Sequence, residues 1–281
     1  MEAIRLSTPS SRKTAITPVH NSPRDGAGPT DDGGDPQQQV REPEALDPTQ
    51  QVWMARTTLL ILNLLLLLGN LIHLFVDEPH EPSHPIFSRP AWNGDYDESH
   101  IEILGHVQLV AATIMLLFLW ITRHAAVYGV WALVILAITV DDLLQIHERG
   151  GAVLVSALGL PAVAGLWPQD LGELLVWAAM AFVLGIVLVI GHLRAPRYAR
   201  GDFWLLAGLV AFLAMFGVGV DQLHVIVEPH VPPLAGTALA LLETSGELVF
   251  MTLIVLAVHQ MAIRPKMPLR SAPRHPGNLS R

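Results

Sequence analysis

The stretch VWMARTTLLILNLLLLLGNLIHLFV, residues 52–76, decides the fold class of this chain. An α-helix needs about 20 predominantly apolar residues to cross the hydrocarbon of a bilayer, and this stretch exceeds that length. It begins only after a long polar segment and is too long for the apolar region of a cleaved signal peptide. We therefore expect it to remain in the protein as a transmembrane helix.

Further apolar runs of about the same length follow along the chain. They begin near Ile101, Val127, Leu171, Phe203 and Leu234. Together with the first run they predict an all-α integral membrane protein with six transmembrane helices within residues 51–263. The flanking segments 1–50 and 264–281 are rich in polar residues, Pro and Gly, and we expect both to be disordered tails, the second one basic.

The composition agrees with this class and excludes others. Hydrophobic residues make up 51% of the chain and charged residues only 15%, against roughly 25% charged in an ordinary soluble domain. The 17 Lys and Arg against 25 Asp and Glu leave a net charge of -8, so no basic surface is available to bind nucleic acid. Because the chain has no cysteine, any metal must be held by oxygen and imidazole nitrogen.

The distribution of arginine predicts the orientation in the membrane. Arg123 follows the second run, and Arg194, Arg197 and Arg200 lie between the fourth and fifth, on the same side as both basic tails. The loops of the opposite side contain only Arg89 and Arg149. The positive-inside rule therefore predicts a multi-pass plasma-membrane protein with both termini in the cytoplasm.

Polar residues recur in register at the ends of the odd-numbered helices. The three gap-free segments are NLIHLFVD at 70–77, DDLLQIHE at 141–148 and DQLHVIVE at 221–228. At 100° per residue, offsets of zero, three and seven fall on one helix face. Asp142 and His147 lie off that face by about 100° and 120°, so we expect them to pack against a neighbouring helix rather than to bind a ligand.

A second pattern recurs in the even-numbered helices. It pairs two polar residues four positions apart with a glycine just before the second one, in EILGH at 102–106, QDLGE at 169–173 and ETSGE at 243–247. The spacing places both polar groups on one face, and the glycine permits close approach of a neighbouring backbone. The two patterns predict three helical hairpins as internal repeats, over residues 52–122, 127–192 and 203–262.

In this topology the polar ends of all six helices converge at the extracytoplasmic level of the bundle. A charged residue at the centre of a membrane helix costs about 2.5–3.5 kcal/mol, and no Lys or Arg lies within a span at this level. The carboxylates must therefore share protons or bind cations, and the histidines among them favour cations. The predicted metal ligands are His73, Glu102, His106, Asp141, Glu148, Glu173, Asp221, His224, Glu243 and Glu247.

This ligand set predicts a divalent transition metal, namely zinc, iron or manganese. Ten candidates exceed the coordination sphere of one ion, so either a dinuclear site forms or some of the residues orient the imidazoles. The sequence contains no motif that specifies a reaction. The first interpretation is a membrane-embedded metalloenzyme, of the hydrolase or oxidase type, that acts on a lipid-soluble substrate within the surrounding lipids.

Two other interpretations stay open. Internal repeats with polar residues near the membrane centre are typical of transporters, and a cation or proton transporter or sensor would use the same cluster. The almost wholly apolar cytoplasmic halves argue for a site open to one side only. The third interpretation is an assembly subunit whose carboxylates bind a partner helix. We also expect the apolar segment 151–168 to pack on the outer surface as a lid or re-entrant segment.

Overall fold

A computed structural model describes residues 47–76, 86–94, 96 and 98–264 of the protein. Within these ranges the chain forms helices and no strands. The α-helices are α1 (Pro48–Val76), α2 (His100–Arg123), α3 (Ala126–Leu143), α4 (Ile146–Leu158), α5 (Pro168–Leu193), α6 (Arg200–Ala214), α7 (Asp221–Val227) and α8 (Pro233–Ile263). The six-residue segment Met215–Val220 between α6 and α7 is π-helical.

Six helical segments of the described chain are long and apolar enough to cross a membrane. They are Val52–Phe75, His100–Arg123, Ala126–Leu143, Pro168–Leu193, Arg197–His230 and Pro233–Ile263. The fifth of them consists of α6, the π-helical segment and α7, which continue one another. This confirms the predicted all-α fold and the six apolar spans, and it marks the chain as a multi-pass membrane protein.

The first part of the apolar segment 151–168 is helical. Residues 151–158 belong to α4, which packs along α5. Two glycines allow this packing, since a Cβ atom built on Gly172 would lie 2.6 Å from the carbonyl oxygen of Gly151. The two backbones are in direct contact, and α4 is therefore held against α5.

Helix α1 is joined to the bundle by polar side chains spaced seven residues apart. At its first position, the Arg56 guanidinium donates to the Gln260 side chain of α8. The next position, Asn63, donates from Nδ2 to Thr252 Oγ1 over 2.6 Å. Gln108 of α2 donates to Asn63 Oδ1 over 2.9 Å and closes a buried three-helix network. Inside the hydrocarbon no water is available, so backbone polar groups must form hydrogen bonds within the protein, and these polar side chains do the same.

The apolar core lies between α2, α3, α6 and α8, where Leu116, Trp131, Leu206 and Ile254 are almost fully buried. At the end of the bundle where α2 stops, Asp202 of α6 is also buried. Its two carboxylate oxygens accept from Tyr128 Oη and from Arg264 Nη1, each over 2.8 Å. This pairing balances the one carboxylate that α6 buries.

Some predictions fall partly or wholly outside the described residues. Residues 1–46, 77–85 and 265–281 are not described, and neither are residues 95 and 97. The expectation for the two tails therefore lies outside the described residues, except that residues 48–50 form the start of α1 and that Arg264 follows the end of α8. Asp77, the last member of the first polar segment, also lies outside them.

Candidate metal centre

The first group of candidate ligands begins at the start of α2. Ser99 caps this helix, because its Oγ accepts a hydrogen bond from the backbone N–H of Glu102 over 3.2 Å. His106 lies one turn after Glu102 on the same face, and the distance between His106 Nδ1 and Glu102 Oε1 is 3.9 Å. The imidazole is almost fully buried, whereas about a quarter of the Glu102 side chain is exposed.

Asp142, near the end of α3, completes this group. Its Oδ2 atom lies 2.6 Å from His106 Nε2, so both nitrogens of the imidazole have a carboxylate beside them. One ligand atom from each of the three residues lies within 4.8 Å of the others. Two ligands of one ion at about 2.1 Å each can be at most about 4.2 Å apart. The observed separation of up to 4.8 Å is slightly larger, so side-chain rotations are needed before all three can bind one ion.

A second histidine–carboxylate pair forms where α3 passes into α4. The turn between these helices places Gln145 in the left-handed region, with φ of 50°. It returns the chain so that His147 Nδ1 lies 2.8 Å from Oδ2 of Asp141, which is only 1% exposed. This hydrogen bond raises the pKa of His147 above its ordinary value, although burial of the ring opposes the shift.

The environment of this pair leaves one polar atom unmatched. Oδ1 of Asp141 is buried and has no hydrogen-bond partner among the described residues. The ring of His147 lies against the indole of Trp177, with ring centroids 5.2 Å apart. The pair is thus held by one hydrogen bond and one aromatic contact, and it keeps the Nε2 edge of His147 for other partners.

Polar groups from five helices line one cavity of about 110 Å³. It lies toward the ends of the bundle where α3 stops and α5 begins, beside the π-helical segment. Its ionisable and amide side chains are Asp142, His147, Glu173, Asp221, Gln222 and Glu247. A water molecule takes about 30 Å³ of liquid volume, so the cavity has room for a few waters or for an ion with some of its hydration shell.

A smaller cavity of about 40 Å³ lies next to the Glu102 carboxylate. Asp142 and Glu247 line both cavities, so these two carboxylates stand between the two spaces. No Lys or Arg lines either cavity among the described residues. Among the described lining residues, His147 of the larger cavity is therefore the one side chain that can carry positive charge against these carboxylates.

Glu247 occupies the centre of this negative region. It lies 14 residues into α8, about 21 Å from the start of that helix at 1.5 Å per residue. The charges that act on it come from Asp142, Glu243, Asp221 and Glu102. Gly217 of the π-helical segment gives its carboxylate the room it needs, because a Cβ atom at that position would collide with Oε1.

The remaining predicted ligands lie in pairs around this region. His224 of α7 faces Glu243 of α8, with Nδ1 and Oε2 3.5 Å apart. The Glu148 carboxylate lies 3.9 Å from His147 Nε2, and Gln169 donates to Glu173 Oε1 over 2.8 Å. Four of the predicted ligands therefore line the cavities together with Asp142, and Glu148, His224 and Glu243 lie beside them. The four are Glu102, Glu173, Asp221 and Glu247.

His73 has a different environment. Its Nδ1 atom lies 2.5 Å from the carbonyl oxygen of Phe87, in the segment between α1 and α2. One turn earlier, Asn70 Oδ1 accepts from the backbone N–H of Gly94 over 3.1 Å. The polar face at the end of α1 thus fastens this connecting segment, and His73 is not part of the group formed by Glu102, His106 and Asp142.

Comparison with known proteins gives a family but no activity. Residues 49–261 match a family described as a domain of unknown function (DUF8692). The chain belongs to this family. No curated protein and no solved structure matches the chain. The matched range covers nearly all of α1, the whole of α2 to α7 and most of α8, and therefore every candidate ligand from His73 to Glu247.

Two residues of this DUF8692 domain belong to the candidate site in the structure although the sequence patterns did not predict them there. Asp142 and His147 were expected to pack against neighbouring helices, yet Asp142 contacts His106 and both residues line the larger cavity. The expectation extended α3 as a straight helix through 148, whereas α3 ends at Leu143. The signal available in the sequence was the presence of a second Asp and a His, Asp142 and His147, within the polar segment 141–148.

Proposed function

We propose that the protein is a membrane-embedded metalloprotein that binds a divalent transition metal at Glu102, His106 and Asp142. The observation that carries this proposal is the distance of no more than 4.8 Å between one ligand atom of each residue. The three come from two neighbouring helices, and a buried imidazole stands between the two carboxylates. Oxygen and imidazole donors without sulfur suit zinc, iron or manganese.

The geometry of His106 allows two modes of binding. If Nδ1 and Glu102 hold the ion, Nε2–H donates to Asp142, and this carboxylate orients the ring. If Nε2 holds the ion, Asp142 becomes a ligand and the hydrogen bond between the two is replaced. Asp142→Asn separates these modes, because the amide keeps an acceptor for Nε2–H but is a poor ligand.

We further propose an enzyme of the hydrolase or oxidoreductase type that acts on a lipid-soluble substrate. A bound ion of this kind supplies Lewis acidity or, for iron and manganese, redox chemistry. The chain contributes the cavity beside the ion, where Glu173, Asp221 and Glu247 can accept or return protons. The apolar side chains that also line this cavity exclude bulk water. His147, oriented by Asp141, is the candidate proton carrier at the cavity wall.

The proposal includes the arrangement inferred from the sequence. The three hairpins are internal repeats, the termini lie in the cytoplasm of the plasma membrane, and the site lies in the extracytoplasmic half. The carboxylates around the larger cavity support a second ion there, which would make the centre dinuclear. Support for the orientation comes from the arginines between α5 and α6 against the few on the opposite side.

One observation favours transport of a cation or proton as the second candidate. Polar side chains continue past the carboxylates, because Asn63, Gln108 and Thr252 form a buried network. Gln108 and Thr252 adjoin Leu109 and Met251 of the larger cavity, and Thr252 lies one to two turns beyond Glu247 along α8. Metal or proton flux into proteoliposomes would favour transport, and its absence together with bound metal would favour the enzyme.

Elemental analysis of the detergent-purified protein tests the proposal. We expect at least one equivalent of zinc, iron or manganese per chain, reduced several-fold in Glu102→Gln and His106→Gln. His259→Gln is the matched control, because His259 lies near the other end of α8 and should leave the metal content unchanged. Metal-free wild-type protein, or variants with unchanged metal content and intact folding by size-exclusion chromatography, would contradict the proposal.

A further inference from the structure

Helices α4 and α5 form an open groove on the surface of the bundle, with a volume of about 610 Å³. On α4, Ile146, Arg149 and Val153 line it at spacings of three and four residues, which place them on one face. On α5 the walls include Leu175 and Ala179. Every other lining side chain is apolar or absent, so Arg149 is the single charge of this groove.

The groove has a fixed shape because the two helices are in contact behind it. A Cβ atom on Gly151 would lie 2.8 Å from the backbone nitrogen of Glu173, and one on Gly150 would lie 2.9 Å from Val176. These contacts leave no space for α4 to move closer to α5. The groove is therefore a preformed feature of the bundle surface rather than a gap between loosely packed helices.

Arg149 is available to a ligand. It is exposed, and no carboxylate among the described residues forms an ion pair with it. The adjacent Glu148 carboxylate is directed to His147, with Oε1 3.9 Å from Nε2. A second apolar groove, of about 340 Å³, runs between α6 and α8 and also contains an arginine, Arg56. That guanidinium already donates to Gln260, whereas no side chain among the described residues accepts a hydrogen bond from Arg149.

We propose that the α4–α5 groove binds an anionic phospholipid, with an acyl chain along the groove and the headgroup phosphate at Arg149. An apolar channel beside a free guanidinium matches both parts of such a lipid, since arginine binds phosphate oxygens in a bidentate manner. The flexible stem of arginine lies along apolar surface while its head stays at the polar interface. This binding site is independent of the metal centre and does not require the proposed enzymatic activity.

The test compares anionic and zwitterionic lipids bound to the full chain. Protein is purified in mixed micelles with equal amounts of phosphatidylglycerol and phosphatidylcholine, and retained lipid is measured by native mass spectrometry. We expect wild type to retain phosphatidylglycerol several-fold over phosphatidylcholine. Arg149→Gln should lower that ratio to about one, and Arg149→Lys should keep part of it.

Two further variants test the acyl chain and the specificity of the charge. One blocks the proposed acyl-chain site, and the other removes a positive charge elsewhere on the protein. Ala179→Phe fills the groove without touching Arg149, and we expect it to lower retention of both lipids. Arg194→Gln removes one positive charge at the opposite end of α5 and should leave the ratio unchanged. Equal retention of the two lipids by wild type, or the same drop in Arg194→Gln as in Arg149→Gln, would overturn the proposal and leave surrounding bulk lipid only.

Discussion

The imidazole of His147 and the carboxylate of Asp141 are joined by a 2.8 Å contact between Nδ1 and Oδ2, although the two residues belong to different helices. The contact exists because the chain turns at Gln145, whose φ of 50° ends α3 and starts α4. A left-handed backbone at a residue other than glycine costs energy and persists only where the surroundings hold it. The contact between His147 and Asp141 is therefore expected to help hold this turn.

Asp141→Asn should make stability less dependent on pH. The hydrogen bond to Asp141 raises the pKa of His147 in the folded state, so protonation stabilises the fold fully below the unfolded value of about 6.5. This stabilisation is lost as the pH rises through the higher folded pKa. Thermal unfolding in detergent with a chelator present should show wild type weakening from pH 6 to 9.

The variant should be less stable than wild type by about 1.5–3 kcal/mol at pH 6, and its pH profile should be flatter. Asp170→Asn serves as the control, since its carboxylate accepts only from the Trp167 backbone N–H at the start of α5. Identical pH profiles of wild type and Asp141→Asn would mean that Asp141 does not raise the pKa of His147.

Gly172→Ala should separate α4 from α5. Its new methyl group would lie 2.6 Å from the Gly151 carbonyl oxygen, and a backbone atom cannot move aside as a flexible side chain can. We expect a loss of about 1–3 kcal/mol in the free energy of unfolding. Gly185→Ala on the same helix is the matched control, because its Cβ would meet nothing within 4 Å, and there the loss of a helical glycine should be neutral or stabilising.

Asn63→Ala should weaken the attachment of α1. The variant removes the acceptor of Gln108 Nε2 and the donor to Thr252 Oγ1, while Thr252 keeps its bonds to Gln108 Oε1 and to Leu248 O. Membrane hydrogen bonds between side chains contribute about 0.6–1.7 kcal/mol, and the change should lower stability by that order. Thr122→Ala removes a hydroxyl that bonds only to Phe118 O of its own helix. A drop as large in that control would refute a special role of the network.

Cysteine labelling should reveal the orientation, since the natural chain contains no cysteine. Ile86→Cys and Trp167→Cys introduce exposed thiols in the two segments that precede α2 and α5. Tyr198→Cys introduces one between α5 and α6. In intact cells a membrane-impermeant maleimide should label the first two and spare the third. The reverse pattern would place the termini outside and invert the proposed topology.

The length of the apolar runs predicted the spans well because length and apolar content alone define a membrane helix. Periodicity predicted that Glu102, Glu173, Asp221 and Glu247 each share a helix face with other polar residues, and all four line the cavities. It failed for Asp142 and His147 because one turn changes the direction of every residue that follows. Gln145 carries no sign of a left-handed turn, since glycine or asparagine is the usual residue there.

The Asn63, Gln108 and Thr252 network also escaped prediction, for a different reason. Each residue is a single uncharged polar group in a long apolar helix, and only the packing of α1, α2 and α8 shows that they meet. Periodicity within one helix gives the direction of a side chain, but it does not give the position along the neighbouring helix of the residue that this side chain contacts. Sequence patterns therefore located the charged centre and missed the neutral contacts that hold the helices around it.

The π-helical segment Met215–Val220 has a consequence for how the fifth span tolerates change. A π-turn carries one residue more than an α-turn, so it is equivalent to a one-residue insertion in an otherwise regular helix. The wider turn absorbs that extra residue, so α6 and the polar half with Asp221 and His224 keep their phase across it. Deletion of Gly219 should therefore restore a regular α-helix with Asp221 still facing the cavity, whereas a one-residue deletion within the regular α6 would rotate every following side chain by about 100°.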